Sequence, residues 1–422
     1  MFAILIFVLL ALLFKTPLRI PGDFYTVLVV EGIAGLYALY FMMRYHRQLD
    51  LTRYWLFLAY LATLWLSALS STDPAWVLAQ ALALTSVVIF FIVFVEGHPD
   101  LQAVQRRVFL VFAAAIALTG VASVVYYKVF GIVAIDTSVV PWRYKGLFSK
   151  PADIAAASGL LVLLSVFSTW PLLLRLSGGA IGFLNLWLSG SRNALAAVVV
   201  SMIVTPLVSS TKRWLMLWAG SFAALAGLYL VVAADLPLPP AVARSLRFES
   251  LETMSGRTDL WSLGFQQFLE KPWLGYGFTR GADAYAPFHA QILQRVGDTS
   301  PVLGRHPVVD GGYMQSLLDA GVIGSVLYVA IILAAIYNAA RISRKPDAAP
   351  IFACILFLAV ANFAETVIFS AIKIQSVLFW YLALVSARLS RTSGIIAAAP
   401  ASSARRAVAA PMRTQIITAA RE

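Results

Sequence analysis

Long apolar runs separated by short polar turns set the pattern of this chain. They lie near 2–14, 24–43, 54–70, 75–95, 108–130 and 153–170, and again near 172–189, 193–208, 214–234, 312–336, 351–371 and 374–388. A bilayer core about 30 Å thick takes about 20 such residues per helix. The pattern therefore predicts an all-α polytopic membrane protein of about 12 transmembrane helices, with the first and last short. One long segment between spans, 235–311, is expected to be a partly helical loop, because a structureless loop of that length is uncommon. The opening Met1–Phe14 run lacks a basic start and a small-residue cleavage site, so it reads as a span and not as a signal peptide. No internal repeat of 20–50 residues is visible. Residues 1–390, loop included, read as one transmembrane unit. Residues 391–422 are rich in Ala, Ser, Pro and Arg without periodicity, and read as a disordered cytoplasmic tail able to touch anionic lipid.

Composition excludes the soluble alternatives. The 422 residues are 60% hydrophobic and 12% charged, against about 25% charged in ordinary globular chains. One cysteine cannot form an internal disulfide, and four histidines leave little material for a metal site. Neither a metal nor another cofactor is expected. The net charge of +12 is spread as punctuation between apolar runs and lines no single face, so it reports topology and not nucleic acid. With both termini inside, 17 of the 32 Lys and Arg fall on the cytoplasmic side, and seven of the others sit in the long loop that the positive-inside rule exempts. The asymmetry favours N-in and C-in, with Lys15 and Arg19 on the wrong side.

Polar chemistry then collects in the outer loops. The long loop opens on Leu236-Pro237-Leu238-Pro239-Pro240. A helix follows in which Thr258 caps, Asp259 sits in the first turn, and Trp261, Phe265, Phe268 and Leu269 share one face. Lys271-Pro272 ends it. Such an amphipathic helix reads as lying at the membrane interface. Gly275 and Gly277 resemble a phosphate loop only superficially, since no strand precedes them. A second, weak helix is expected from about Asp283 to Arg295, and the loop closes on Arg305, His306 and Asp310 before Tyr313. Two shorter loops carry Arg143 and Lys145, and the tight Ser189–Asn193 turn with Arg192.

Arg143, Lys145, Arg192, Arg257, Arg280 and Arg305 thus share one predicted side. The arginine fork matches phosphate oxygens bidentately, which suits a diphosphate carried on a lipid. The plainer reading of each is an interfacial anchor or the partner of a nearby acid. For His306 it is an ordinary loop histidine, and for Asp310 a cap on the following span. Glu31 and Glu365, with Asn362 one turn before the latter, are costly in lipid and are expected to face the bundle interior, Glu365 by pairing or by touching substrate. His46 and His98 are assigned no role.

Four stretches carry a family resemblance: RYKGLFSKPADIAAASGL at 143–160, SGSRNALAA at 189–197, GRTDLWSLGFQQFLEKPWLGYGF at 256–278 and GGYMQSLLDAGVIG at 311–324, with a looser ANFAETVIFS at 361–370. In this order and spacing they resemble the O-antigen ligase and polysaccharide polymerase superfamily of bacterial membrane glycosyltransferases. The resemblance implies a metal-independent enzyme of the bacterial inner membrane. It would use undecaprenyl-diphosphate-linked glycan at the periplasmic face, with an acceptor glycan or glycolipid and other polysaccharide-assembly membrane proteins as partners. It also implies diphosphate binding by Arg143, Arg192 and Arg257.

One departure bears on the base. Ligase-like members place a histidine about three residues before the tyrosine that opens span ten. Here Asp310 holds that position before Tyr313, and His306 lies seven back. Either group can take a proton from an acceptor hydroxyl, and the change tilts the reading from ligase towards polymerase. The expected catalytic set is Asp310, His306, Arg192 and Arg257, with Arg143, Lys145, Arg280, Arg305, Tyr313 and Glu365 binding substrate. A lipid-linked sugar transporter or flippase is the rival class. It shares the hydropathy, but would not need the RTDLW helix and would favour internal repeats.

Overall fold

A computed structural model describes residues 40, 43, 51–131, 135–136, 143–148, 150–209, 257–288, 311–345, 347–368 and 373–398. The expected spans 2–14 and 214–234, nearly all of 24–43, and the chain beyond Ala398 lie outside them. So do Glu31, His46, Arg305, His306 and Asp310.

Ten α-helices are described: α1 Trp55–Leu66, α2 Pro74–Gly97, α3 Leu101–Phe130, α4 Pro151–Phe167, α5 Leu172–Ser189, α6 Arg192–Ser209, α7 Arg257–Glu270, α8 Gly312–Ile342, α9 Ala349–Ala361 and α10 Ile374–Ala398. Five of them (α2, α3, α5, α6 and α8) are long and apolar enough to cross a membrane, and α4 and α9 are shorter apolar helices. The protein is a mostly helical membrane protein, and twelve spans are not reached among the described residues. Two two-residue strands, β1 Ile135–Asp136 and β2 Arg143–Tyr144, pair antiparallel with Asp136 opposite Arg143, an addition to the all-α expectation.

Helix starts follow local chemistry. Asp73 accepts the Trp76 amide at 3.2 Å before Pro74 opens α2, and Asp100 accepts the Ala103 amide at 3.1 Å before α3. These are N-caps that satisfy otherwise orphaned donors. α5 ends at Gly190 in the left-handed conformation, φ 60°.

Packing in lipid lacks a hydrophobic drive between helices and depends on close approach. α4 is buried around its whole circumference, as are α9 and most of α10. Its closest neighbour is α5, where a Cβ on Gly182 would stand 2.9 Å from the Ser158 carbonyl. The outward face of α5, with Leu172, Leu173, Leu176 and Phe183, is exposed and suits contact with acyl chains. A column of rings threads the bundle: Tyr313–Tyr328 at 6.1 Å, Tyr328–Tyr60 at 5.8 Å, Tyr60–Trp380 at 5.9 Å, Trp380–Phe57 at 6.3 Å and Phe57–Tyr54 at 6.3 Å. It joins α8, α1 and α10 from one end of the bundle to the other.

Three expectations change. The run 351–371 is not one span: α9 stops at Ala361 and the chain turns through Asn362–Glu365. Tertiary contacts hold the stop, since the Asn362 carbonyl accepts the Gly312 amide at 2.7 Å and its Nδ2 donates to the Tyr328 hydroxyl at 2.9 Å. The run 312–336 is a longer helix broken at Gly321, φ 62° and ψ −164°. Finally, α10 carries helix through the first residues of the segment read as tail, to Ala398.

Candidate functional site

The described part of the long loop is built onto the break in α8. α7 is followed by a turn and by a 3-10 helix at Gly281–Phe288, which replaces the start of the weak α-helix expected from Asp283. Three backbone bonds join this turn to the break. The Tyr276 amide donates to Leu318 O at 2.7 Å, the Gly277 amide to Asp319 O at 3.0 Å, and the Val322 amide to Pro272 O at 2.7 Å. Peptide groups freed by a broken membrane helix need such partners. Glycine is required where the two backbones touch. Gly275, φ 67°, faces the Leu318 carbonyl and Gly321 faces that of Trp273, so a Cβ on either would collide. Gly277, φ 105°, leaves no room for a Cβ against Ser71 and Val77, both 2.7 Å away, so neither Gly275 nor Gly277 needs a phosphate to explain it.

Asp319 completes the junction. It is fully buried, and its carboxylate accepts the Gly281 amide at 2.6 Å, the Thr279 amide at 2.9 Å and the Gln315 side-chain amide at 2.7 Å. The side chains above α8 close over a second apolar cluster of Ala284, Tyr285 and Leu318, joined by Leu263, Phe268, Tyr276 and Met314. The Tyr285 hydroxyl donates to Leu260 O at 3.0 Å. Burial and the neighbouring Glu270 carboxylate push the Tyr276 hydroxyl up to about 12, so it stays a neutral donor, to Gln267 O and Glu270 at 3.2 Å.

The aromatic stripe of α7 is accordingly split. Phe268 turns into this cluster, and the Trp261 Nε1 lies 3.3 Å from where a Cβ on Gly311 would stand. Phe265, Leu269 and Trp273 remain exposed. The helix begins at Arg257, so Thr258 lies inside its first turn and not at the cap.

A second junction forms where α6, α8 and α9 meet. Asn193 donates through Nδ2 to Ala361 O at 2.7 Å, and the Glu365 amide donates to the same carbonyl at 3.2 Å. Arg192 precedes Asn193, half-buried at the start of α6, and Glu365 lies in the turn after α9. Glu365 sits on a turn and not inside a helix. Tyr313 packs its ring on Phe363 at 4.7 Å and gives its hydroxyl to Ala359 O at 3.0 Å, a structural engagement. Arg257 heads α7, whose Trp261 meets Gly311 at this same junction. The first turns of the two arginine-bearing helices are thus gathered at the start of α8.

The other candidates divide. Arg143 lies half-buried on β2, beside Tyr144, whose hydroxyl donates to Asn185 at 3.1 Å and is pushed up to about 12 by burial. Lys145 follows, half-buried. Arg280 is held by Asp73 at 2.7 Å and Asp283 at 3.3 Å, which ties the loop to the cap of α2. Arg305, His306 and Asp310 lie outside the described residues.

Sequence reasoning passed over Asp319, Asp153 and Lys373. Asp153 is buried and accepts Gln375 Nε2 at 3.0 Å, with Lys373 Nζ at 3.4 Å; Lys373 also donates to Thr366 O at 3.0 Å. A carboxylate inside an apolar run is costly unless it is satisfied, and SLLDAGVIG carried that signal for Asp319.

A helical membrane bundle, in which a loop fills a broken helix and arginines head helices at one junction, defines the class. Residues 177–329 match the family model described as O-antigen ligase. The match supports the O-antigen ligase and polymerase superfamily for this chain, and it spans the Arg192 turn, α7 and the start of α8. No curated protein matches the chain.

Proposed function

We propose that the protein is a metal-independent glycosyltransferase of the bacterial inner membrane that polymerises undecaprenyl-diphosphate-linked oligosaccharide at the periplasmic face. The observation that carries this reading is the O-antigen ligase match over 177–329, a stretch that holds both Arg192 and Arg257. The charge asymmetry supports N-in and C-in, with the loop outside.

The chemistry needs few parts. An acceptor hydroxyl oxygen attacks the donor's anomeric carbon as the bond from that carbon to the diphosphate oxygen breaks. The leaving diphosphate departs with the electron pair, and a base takes the hydroxyl proton. In this reading Arg192, Arg257 and Arg143 stabilise the charge that builds on the diphosphate. Asp310 is the base we favour over His306, because it stands three residues before Tyr313 and is followed by two glycines that leave room for a sugar. Glu365 and Lys145 bind substrate at the margins, and Arg280, held by two carboxylates, contributes chiefly by fixing the loop.

The second reading is an O-antigen ligase that transfers glycan to a lipid A-core acceptor, favoured by the family description itself. Deleting the gene and analysing the glycans separates the two. Loss of long chains with single repeats retained means polymerase, and loss of glycan from lipid A-core with lipid-linked chains accumulating means ligase. Accumulation of lipid-linked repeats on the cytoplasmic leaflet would mean a flippase and would overturn both.

A further inference from the structure

The loop helix α7 is mounted on α8 at two points. Its first turns meet Gly311 through Trp261, and the turn after it enters the break at Asp319–Gly321. Between these points α8 is a rigid helical segment, so the second mount sets the angle at which α7, and Arg257 at its head, stands over the start of α8.

The second mount carries strain. Thr279 adopts φ 66°, a left-handed conformation in which a β-branched residue is a genuine outlier. Strain of this kind persists only where the surroundings over-determine it, and it concentrates at functional sites. Here the surroundings are specific. Asp319 takes the Thr279 amide on Oδ2 and the Gly281 amide on Oδ1, while Trp76 Nε1 donates to the Thr279 hydroxyl at 3.0 Å. Among the described residues no cation lies within ion-pair distance of Asp319. The carboxylate is spent on two backbone amides of one strained turn and on Gln315.

We propose that Asp319 is a positioning residue: its carboxylate clasps the Thr279–Gly281 turn and so fixes α7 and Arg257 over the start of α8 for glycosyl transfer. The proposal rests on the glycosyltransferase reading for its effect on rate, though not for its effect on geometry.

Asp319→Asn is the isosteric test, because it must turn an amide N–H towards a backbone N–H on one side or the other. Spin labels at the exposed positions 265 and 326 report the geometry in the full-length protein, and turnover of a purified lipid-linked repeat reports the chemistry. The expected result is one narrow distance in the parent, a broadened distribution in Asp319→Asn, and kcat lower by about 10–100-fold, since a displacement of about 1 Å costs that much, with KM for the repeat changed less than threefold. Adding Gln315→Glu to Asp319→Asn restores an acceptor to the cluster and should recover the narrow distance and part of kcat. If Asp319→Asn does not accumulate, Gln315→Met withdraws one donor, leaves Asp319 in place, and should broaden the distance with a smaller fall in kcat. An unchanged distance, or a broadened distance with parental kcat, would overturn the positioning role. A parent protein that turns over no lipid-linked repeat would overturn the glycosyltransferase reading instead, while the distances would still decide the clasp.

Discussion

The two ends of the bundle hold their carboxylates differently. At the end that receives the loop, Asp319 is buried and gives both oxygens to amide donors, two of them backbone. At the opposite end, Asp347 binds Arg106 at 2.5 Å and the Thr169 hydroxyl, and its carbonyl accepts Gln105 at 3.3 Å. Glu96 there accepts the Tyr54 hydroxyl at 2.5 Å, with Arg388 at 3.9 Å, and Arg388 in turn donates to His98 O at 2.8 Å. Arg175 closes the carbonyls at the end of α4, donating to Ser165 O and Val166 O at 3.0 Å. Around the break in α8 the loop end is fitted by backbone against backbone and tolerates no added side chain at the contact, with the Arg280 pairs to Asp73 and Asp283 at its margin. The other is stapled by long side chains around helices that simply stop. Shape is specified where the loop enters. At the opposite end it is mostly charge and capping.

That contrast can be broken in order of expected effect. Gly321→Val should cost the most, because it adds a left-handed β-branched residue and a collision with the Trp273 carbonyl. A loss of roughly 2–5 kcal/mol is expected, combining backbone strain and overpacking, read as thermal stability in detergent. A Gly321→Val protein as stable as the parent would mean that the loop does not enter the break.

Arg192→Lys should leave the fold intact and abolish most of the activity. The charge remains, but the fork that binds two phosphate oxygens is lost, and removing one such transition-state donor costs about a hundredfold or more in kcat. Near-normal long-chain glycan from this variant at equal protein level would make Arg192 an interfacial anchor.

Asp347→Ala tests the stapled end and should do much less. The Arg106 side chain is 62% exposed and that of Asp347 14%, so the pair is half-screened, and together with the Thr169 hydrogen bond it is worth roughly 1–2 kcal/mol. The expected outcome is a small fall in melting temperature with unchanged glycan product. Loss of product would show that the two ends are coupled.

Salt should give the smallest effect. At 1 M the screening length is about 3 Å, so amide exchange should rise modestly around 105–107 and 347–349 and stay unchanged at the backbone-paired break, 318–322. Equal responses at both ends would erase the distinction.

Much of the fold was legible in the sequence because it is decided locally. The spans expected at 172–189 and 193–208 match α5 and α6 almost residue for residue, since hydropathy and the glycine of the turn between them act over a few positions. The runs near 75–95 and 108–130 lie within α2 and α3, while the caps at Asp73 and Asp100 that start these helices were not read from the sequence. The Arg192 turn and the loop helix could be read as motifs, and the family match covers both.

What only the tertiary structure decided is where helices break and which side chains are already spoken for. SLLDAGVIG is a plausible continuous span, and it breaks because amides from Tyr276 and Gly277 reach its carbonyls from more than forty residues away in the chain. ANFAE reads as helix through Glu365, and it stops because Asn193 binds the last carbonyl of α9, at Ala361, and Gly312 binds the next one, at Asn362. For Arg280 the sequence allowed an acidic partner as well as a phosphate, but Asp73, which lies 207 residues earlier, is named only by the structure. The periodicity of α7 predicted one apolar face but not that Phe268 would be covered while Phe265 and Leu269 stayed exposed. A sequence pattern fixes local conformation and the amount of apolar surface, because those depend on neighbours along the chain. The partner of a particular carbonyl or carboxylate is a neighbour in space, and no local preference encodes it.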